Sequence, residues 1–213
     1  MEPASTETAP AVIDADSDPV PLEVAVPASA LAATDPPVMV PEPADIRHVL
    51  GHVPTSVCVV TATTPSGPVG VTVGSFTSVS LDPPLVVFYA GCDSASAQAI
   101  VGARSFCVNV LADDQQEVCA AFARRTPDRF ATGDWEFEAH GPPRLSGAAA
   151  WIVCDVEGSH PAGDHMAVVG RVRDLAAARG PRNPLLFHRG QLARLDRARG
   201  VHAPTHSFDW WDR

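Results

Sequence analysis

The chain contains no lysine; its 15 basic residues are all arginine, and they form no dense stripe. That argues against a nucleic-acid partner, because neutralising a phosphate backbone takes a clustered cationic surface. No apolar run approaches the length of a bilayer span, and an acidic, proline-broken N-terminus is the opposite of a secretory signal. The five cysteines (Cys58, Cys92, Cys107, Cys119, Cys154) are odd in number and include no CxxC pair. They read as free thiols, several of them inside apolar runs where cysteine behaves as a small hydrophobe, and the cytoplasm is the compartment they fit. No metal set is visible: His160 and His165 lack the spacing of a helical HExxH site, and no cysteine cluster completes a zinc site. The lack of a GxSxG elbow argues against a serine hydrolase, and the lack of GxGxxG after a strand against a Rossmann domain.

The formal charge of −10 is concentrated at one end. The first 45 residues carry nine carboxylates, nine of the 21 prolines and no basic side chain, which leaves the remainder nearly neutral. A segment rich in Pro, Ala and acid, without aromatics, buries too little apolar surface to offset its ordering entropy. Residues 1–44 are therefore expected to be a disordered acidic tail. Residues 198–213, where the sequence turns polar and carries Trp210 and Trp211, are expected to form a C-terminal tail. Between them, 45–197 is long enough for one domain with a sizeable core.

Within that domain the pattern is of many short β-rich runs. Asp45 is placed to cap a helix through Leu50 that stops at Gly51. The β-branched run Thr55–Thr63 predicts a buried strand, Pro65–Gly67 a turn, and Val69–Ser75 the second arm of a hairpin. Strands are expected at Leu85–Tyr89, Phe106–Leu111, Trp151–Val156 and His165–Val172, and a closing hairpin at Leu185–Phe187 and Gln191–Leu195 around Arg189-Gly190. Helices are expected at Ser94–Val101, capped by Ser94 or Asp93, and from a cap at Asp113 or Asp114 to about Arg124. Thr126–Pro143 has no periodicity and reads as a long surface loop. Even spacing of short strands points to a mainly β, antiparallel barrel with a few short helices rather than βαβ units.

Four segments carry candidate chemistry. Gly70–Pro84 is dense in small and hydroxyl residues, so main-chain groups can meet the edge of a flat heteroaromatic ring, with Gly74 permitting close approach; an ordinary Ser/Thr-rich edge strand is the plainer alternative. Asp93–Gln98 opens a helix whose free N–H groups, with Ser94 and Ser96 beside them, suit a phosphate, although plain capping needs only one of those serines. Asp164-His165 at a strand start can hold an imidazole in a fixed tautomer. Phe187, His188 and Arg189 put an aromatic, an imidazole and a guanidinium at one turn, ready to stack on a ring or meet a phosphate.

In this order, these segments resemble the flavin reductase-like family of FMN-binding split barrels, over about Ile46 to Leu195. The landmarks are Leu50–Thr55, Val71–Val86, Phe106–Leu111, Arg129-Phe130 with Trp135, Gly163–Val172 and Pro184–Gly190. The resemblance implies an antiparallel split β-barrel of Greek-key type, homodimeric, acting as an NAD(P)H:flavin oxidoreductase. NADH or NADPH would be the hydride donor, FMN or FAD the acceptor, and a flavin-dependent monooxygenase the partner that takes the reduced flavin. By position, Thr72, Val73, Gly74 and Ser75 would edge the flavin ring, and Cys92, Asp93, Ser94, Ala95 and Ser96 would receive its phosphate. His165 would orient the nicotinamide or assist protonation of the reduced flavin, and Phe187, His188 and Arg189 would border the nicotinamide. Relatives often carry a basic residue where this chain has Asp93, which leaves Arg104 or helix N–H groups to supply positive charge. A flavin-binding module, and a pyridoxamine-phosphate-oxidase-like enzyme with tightly held FMN, remain the rival readings.

Overall fold

The computed structural model describes residues 40–124, 126–139, 141–180 and 182–195. The expected C-terminal tail and nearly all of the expected acidic tail lie outside them. Helix α1 (Pro43–Leu50) starts before the expected cap: Glu42 is the N-cap residue, Pro43 opens the first turn, and Asp45 sits inside it. Proline is pre-set for that position, and a carboxylate within the first turn meets the positive end of the helix dipole without capping it. No residue of α1 is buried.

The run expected as one strand is two, β1 (Thr55–Ser56) and β2 (Cys58–Thr64), separated at Val57. They are followed by β3 (Gly67–Val73), β4 (Thr77–Leu81), β5 (Pro84–Gly91), helix α2 (Ala95–Gly102) and β6 (Ser105–Val110). Helix α3 (Gln116–Ala123), two short strands β7 (Trp135–Glu136) and β8 (Arg144–Leu145), and two 13-residue strands β9 (Ala150–Ala162) and β10 (His165–Ala177) come next. The hairpin β11 (Leu186–His188) and β12 (Gln191–Ala193) completes the described chain. The fold is mainly β, antiparallel, with a few short helices.

Seven strands form one sheet in the order β3-β2-β6-β9-β10-β5-β4, and β1 pairs with β11 in a second, three-stranded one. Alternation along β2 divides the core. Cys58, Val60 and Ala62 face one cluster with Phe88, Phe106 and Ile100 of α2. Val59 faces another with Leu111, Leu185 and the Val118, Cys119 and Phe122 stripe of α3. At the β11–β12 turn, Arg189 and Gly190 both take positive φ, 51° and 79°, the pairing that a two-residue hairpin turn of type I′ requires.

Two expectations fail here for identifiable reasons. Helix α3 is capped neither by Asp113 nor by Asp114; Asp114 instead pairs with Arg182 at 2.7 Å, and the N-cap is Gln115. The Gln115 side chain accepts from the Ala112 N–H and donates to the Ser146 carbonyl, work that a shorter side chain cannot do. The segment Thr126–Pro143 is not a surface loop throughout. Phe130 and Trp135 stack against each other and against Phe122, with ring centroids 5.0–5.3 Å apart, and Trp135 is buried. The turn after it is fastened to the sheet by buried polar groups: Thr61 Oγ1 donates to the Pro143 carbonyl at 2.6 Å, and the Leu145 N–H donates to Asn109 Oδ1 at 2.8 Å. Such packing comes from irregular backbone and leaves no period to read.

Cys58, Cys107, Cys119 and Cys154 are buried, and Cys92 is exposed. Desolvation pushes Cys58, Cys107 and Cys154 up to about 12 and raises Cys119 as well. A thiol reagent at about pH 8 is therefore expected to modify Cys92 alone in the native protein and all five thiols after denaturation. A second fast-reacting thiol in the folded state would contradict this packing. Among the described residues, no helix is long and apolar enough to cross a membrane.

Candidate active site

Where β3 ends, its last residues meet the end of β5 and the start of β10 around a cavity of about 440 Å³. One wall is Val71, Thr72, Val73, Gly74 and Ser75; another is Tyr89, Ala90 and Gly91 with His165. Ser94, Phe122 and Ala123 complete it. Ser75 fastens the two walls together, its hydroxyl donating to the Tyr89 carbonyl (2.8 Å) and accepting from the Tyr89 N–H (3.0 Å). The volume is that of a cofactor-sized pocket, and among the described residues no carboxylate or guanidinium lines it.

Thr72, Val73, Gly74 and Ser75 are thus brought to the cavity, but their hydroxyls are already engaged. Thr72 Oγ1 donates to the Cys119 carbonyl at 3.2 Å, and Ser75 is held by Tyr89. The wall therefore offers main-chain groups and a gap. A Cβ on Gly74 would stand 3.0 Å from Thr55 Oγ1, so the absence of a side chain there keeps the wall low.

The turn from Cys92 to Ser96 lies at the same end. The Cys92 N–H donates to the Asp164 carbonyl at 3.0 Å, and Gln98 Nε2 donates to the Cys92 carbonyl at 2.8 Å. Ser94 is the N-cap of α2, accepting from the Ala97 N–H, and Ser96 is left for other partners. Asp93 and Ala95 are exposed. Arg104 stands beyond the C-terminal end of α2, one whole helix of eight residues, or roughly 12 Å, from this turn, and does not supply its charge.

His165 opens β10 opposite Gly91 of β5. Its Nδ1 is 2.7 Å from Asp164 Oδ1, and that hydrogen bond holds the Asp164 carboxyl below its ordinary range. An ionised carboxylate can only accept, so Nδ1 is the donor of this hydrogen bond.

Phe187, His188 and Arg189 are not among the walls of this cavity. His188 and Arg189 line a separate hollow with Gln191, Leu192 and Ala193. Phe187 is half-exposed and pairs in register with Thr55, the residue that faces Gly74. Three contributors were not foreseen. Tyr89, the only tyrosine in the chain, lies on the alternate face of β5 from buried Phe88; Phe122 ends the apolar stripe of α3; and Arg129, visible in the sequence only as a landmark, reaches Gly70 and Ser96.

The flavin reductase like domain model matches residues 50–196, which contain every wall of this cavity. The chain belongs to the flavin reductase-like family. The reductase subunit HsaB of a flavin-dependent monooxygenase from Rhodococcus jostii (strain RHA1) is 44% identical over 163 residues, covering 76% of this chain and 83% of that relative. SmoA of Agrobacterium fabrum, an FMN reductase (NADH), is 43% identical over 151 residues, 71% of this chain and 85% of its own. Among solved members of the family, nitrilotriacetate monooxygenase component B from Mycobacterium thermoresistibile superposes with a TM-score of 0.71 at 39% identity, covering 77% of this chain and 92% of that one.

Proposed function

We propose that the chain is an NAD(P)H-dependent flavin reductase that binds FMN or FAD in the cavity between β3, β5 and β10 and passes the reduced flavin to a partner flavin-dependent oxygenase. The observation that carries this reading is the low wall at Gly74. A flat ring with carbonyl and imide edges fits against the main chain of Thr72–Ser75 only while no Cβ stands there, and a lining with no carboxylate or guanidinium among the described residues costs such a ring little desolvation. Relatives named as an FMN reductase (NADH) and as the reductase subunit of a monooxygenase support the substrates and the partner.

Hydride passes from the reduced nicotinamide to the flavin when both are bound, a chemistry the two cofactors supply themselves. The chain's part is to hold two rings together and keep water out. Thr72, Val73, Gly74 and Ser75 edge the flavin ring, and the Cys92–Ser96 turn receives the phosphate. His165, its tautomer fixed by Asp164, orients the nicotinamide or assists protonation of the reduced flavin. No general base is required for the transfer itself. We read the seven-stranded sheet as a split barrel whose ends are tied by Ser75 and Tyr89, and the working unit as a cytoplasmic homodimer. Exposed apolar residues of α1 and the β11–β12 hairpin (Val49, Leu50, Phe187, Leu192) are surface that a second copy would cover. Phe187, His188 and Arg189 would then border the nicotinamide from beyond Thr55.

The test is oxidation of NADH and of NADPH followed at 340 nm, with and without added FMN or FAD. Turnover that depends on added flavin establishes the reductase and gives both cofactor preferences. Protein that binds flavin yet oxidises neither nucleotide removes the reductase reading. In the same assay, His165→Ala is expected to raise the nicotinamide KM about tenfold, as for loss of one hydrogen-bonding contact, with flavin affinity within twofold. An unchanged KM and rate would take His165 out of the site.

A further inference from the structure

The phosphate turn carries an acid, Asp93, where positive charge is needed, and no arginine among the described residues lines the cavity. We propose that Arg129 is the cation that receives the flavin phosphate, reaching the turn from outside it; this rests on the reading of the cavity as a flavin site.

Three elements hold the Arg129 side chain at the open end of α2. Its Nη1 donates to the Gly70 carbonyl of β3 at 2.9 Å and to Ser96 Oγ of α2 at 3.4 Å. Its guanidinium carbon lies 5.8 Å from the centre of the Phe122 ring, which forms part of the cavity wall. These partners fix the position of the group without neutralising it. Arg144, Arg171, Arg173 and Arg182 each pair with a carboxylate, whereas Arg129, which is half-buried, makes no ion pair among the described residues. A guanidinium partly withdrawn from water and satisfied only by a carbonyl and a hydroxyl keeps its charge and most of its five-donor fork for an anion.

The acceptor's place is marked by what surrounds Ser96. Ser94 spends its oxygen on the Ala97 N–H, so the N–H groups of Ala95 and Ser96, at the first two positions of α2, have no partner among the described residues. Arg129 stands beside these two donors through its contact with Ser96. A dianionic phosphate there would receive main-chain N–H groups from one side and the guanidinium fork from the other. The arrangement also accounts for tolerance of Asp93, because a cation fixed beside Ser96 offsets a carboxylate that is free to turn into solvent. It makes Arg129 the residue that separates phosphorylated from unphosphorylated flavin.

FMN and riboflavin share the ring and the ribityl chain and differ by the phosphate, so their affinities isolate the contact. Binding of each is measured by flavin fluorescence quenching for the wild type, Arg129→Gln and Arg129→Lys. The wild type is expected to prefer FMN. Arg129→Gln is expected to weaken FMN by about 10- to 100-fold, the range for charge-assisted hydrogen bonds, while riboflavin stays within twofold. Arg129→Lys should fall between, keeping the charge but not the fork. The FMN affinity of the wild type should fall with added salt, and that dependence should flatten in Arg129→Gln. Equal weakening of both ligands would make Arg129 a structural brace through Gly70 and Ser96 and overturn the proposal. So would a wild type that binds the two flavins equally, or an Arg129→Gln variant that binds FMN unchanged. A wild type that binds neither flavin defeats the flavin reading itself, a distinct outcome.

Discussion

Phe122→Ala is expected to lower the stability of the protein by about 3–5 kcal/mol, the range for removing a fully buried aromatic ring. Phe122 is 1% exposed and joins three parts of the molecule. Its ring packs edge-on against Phe130 and tilted against Trp135, which anchors the irregular segment after α3. It also occupies the space beside Gly70, where a Cβ would come within 2.6 Å of its Cε1, so β3 and α3 approach as closely as they do only because one side has no side chain. The hole left by alanine cannot be filled by collapse, since Gly70 has nothing to move into it. Urea or thermal denaturation measures the loss. At roughly 2–4 °C per kcal/mol for a chain of this size, the midpoint should fall by about 6–20 °C. Phe122→Leu, which keeps most of the volume, should cost markedly less; a loss below 1 kcal/mol for alanine would mean the cluster carries little.

The second large effect is on binding. Gly74→Val should weaken flavin by about 100-fold or more, with the unfolding midpoint close to that of the wild type. Gly74 is exposed and does not need positive φ, so a side chain there is tolerated by the backbone. The cost is steric and falls on the ligand. Because a Cβ at this position also crowds Thr55 Oγ1, the double variant Thr55→Ala with Gly74→Ala separates two causes. If the ring needs the bare main chain, removing the Thr55 hydroxyl does not restore affinity. Recovery to wild-type binding in the double variant would place the damage in β1 and not at the ring.

Elements whose burial follows a simple period were legible in the sequence. β2 and β6 are runs rich in β-branched and apolar residues and buried on both faces, α2 shows its cap at Ser94, and the β11–β12 turn shows its Arg-Gly. β9 and β10 run on past the expected ends at Val156 and Val172, to Ala162 and Ala177, β9 through Gly158 and Pro161. In the sheet, β6 pairs with β9 only from Ala150 to Asp155, so beyond that point β9 is bonded on the β10 side alone. A proline whose missing N–H faces an open edge costs the ladder nothing. β4 was masked by its hydroxyls; it is the terminal strand, with Val79 and Leu81 exposed and a bulge between Ser78 and Ser80, a place where apolar alternation is not required. Of the site, the glycine-and-serine wall, the α2 cap and the Asp164-His165 pair were visible because each is contiguous. Phe122 and Arg129 were not, since their part depends on α3 and the turn after it folding back beside β3, and no local pattern encodes that.

Asp164 joins two places that a sequence reads as separate. Its carbonyl accepts a hydrogen bond from the Cys92 N–H, and its carboxylate accepts one from His165 Nδ1. On the proposed reading, the turn that would take the flavin's tail and the imidazole that would meet the second ligand are suspended from one residue at the tip of one hairpin. When a ligand stiffens the Cys92 turn, the ordering reaches the imidazole through a single amino acid, so part of the entropy that the second ligand would lose has already been spent by the first. Titrations of the two ligands are for that reason a single coupled measurement, and the order in which they are added is a property to be determined.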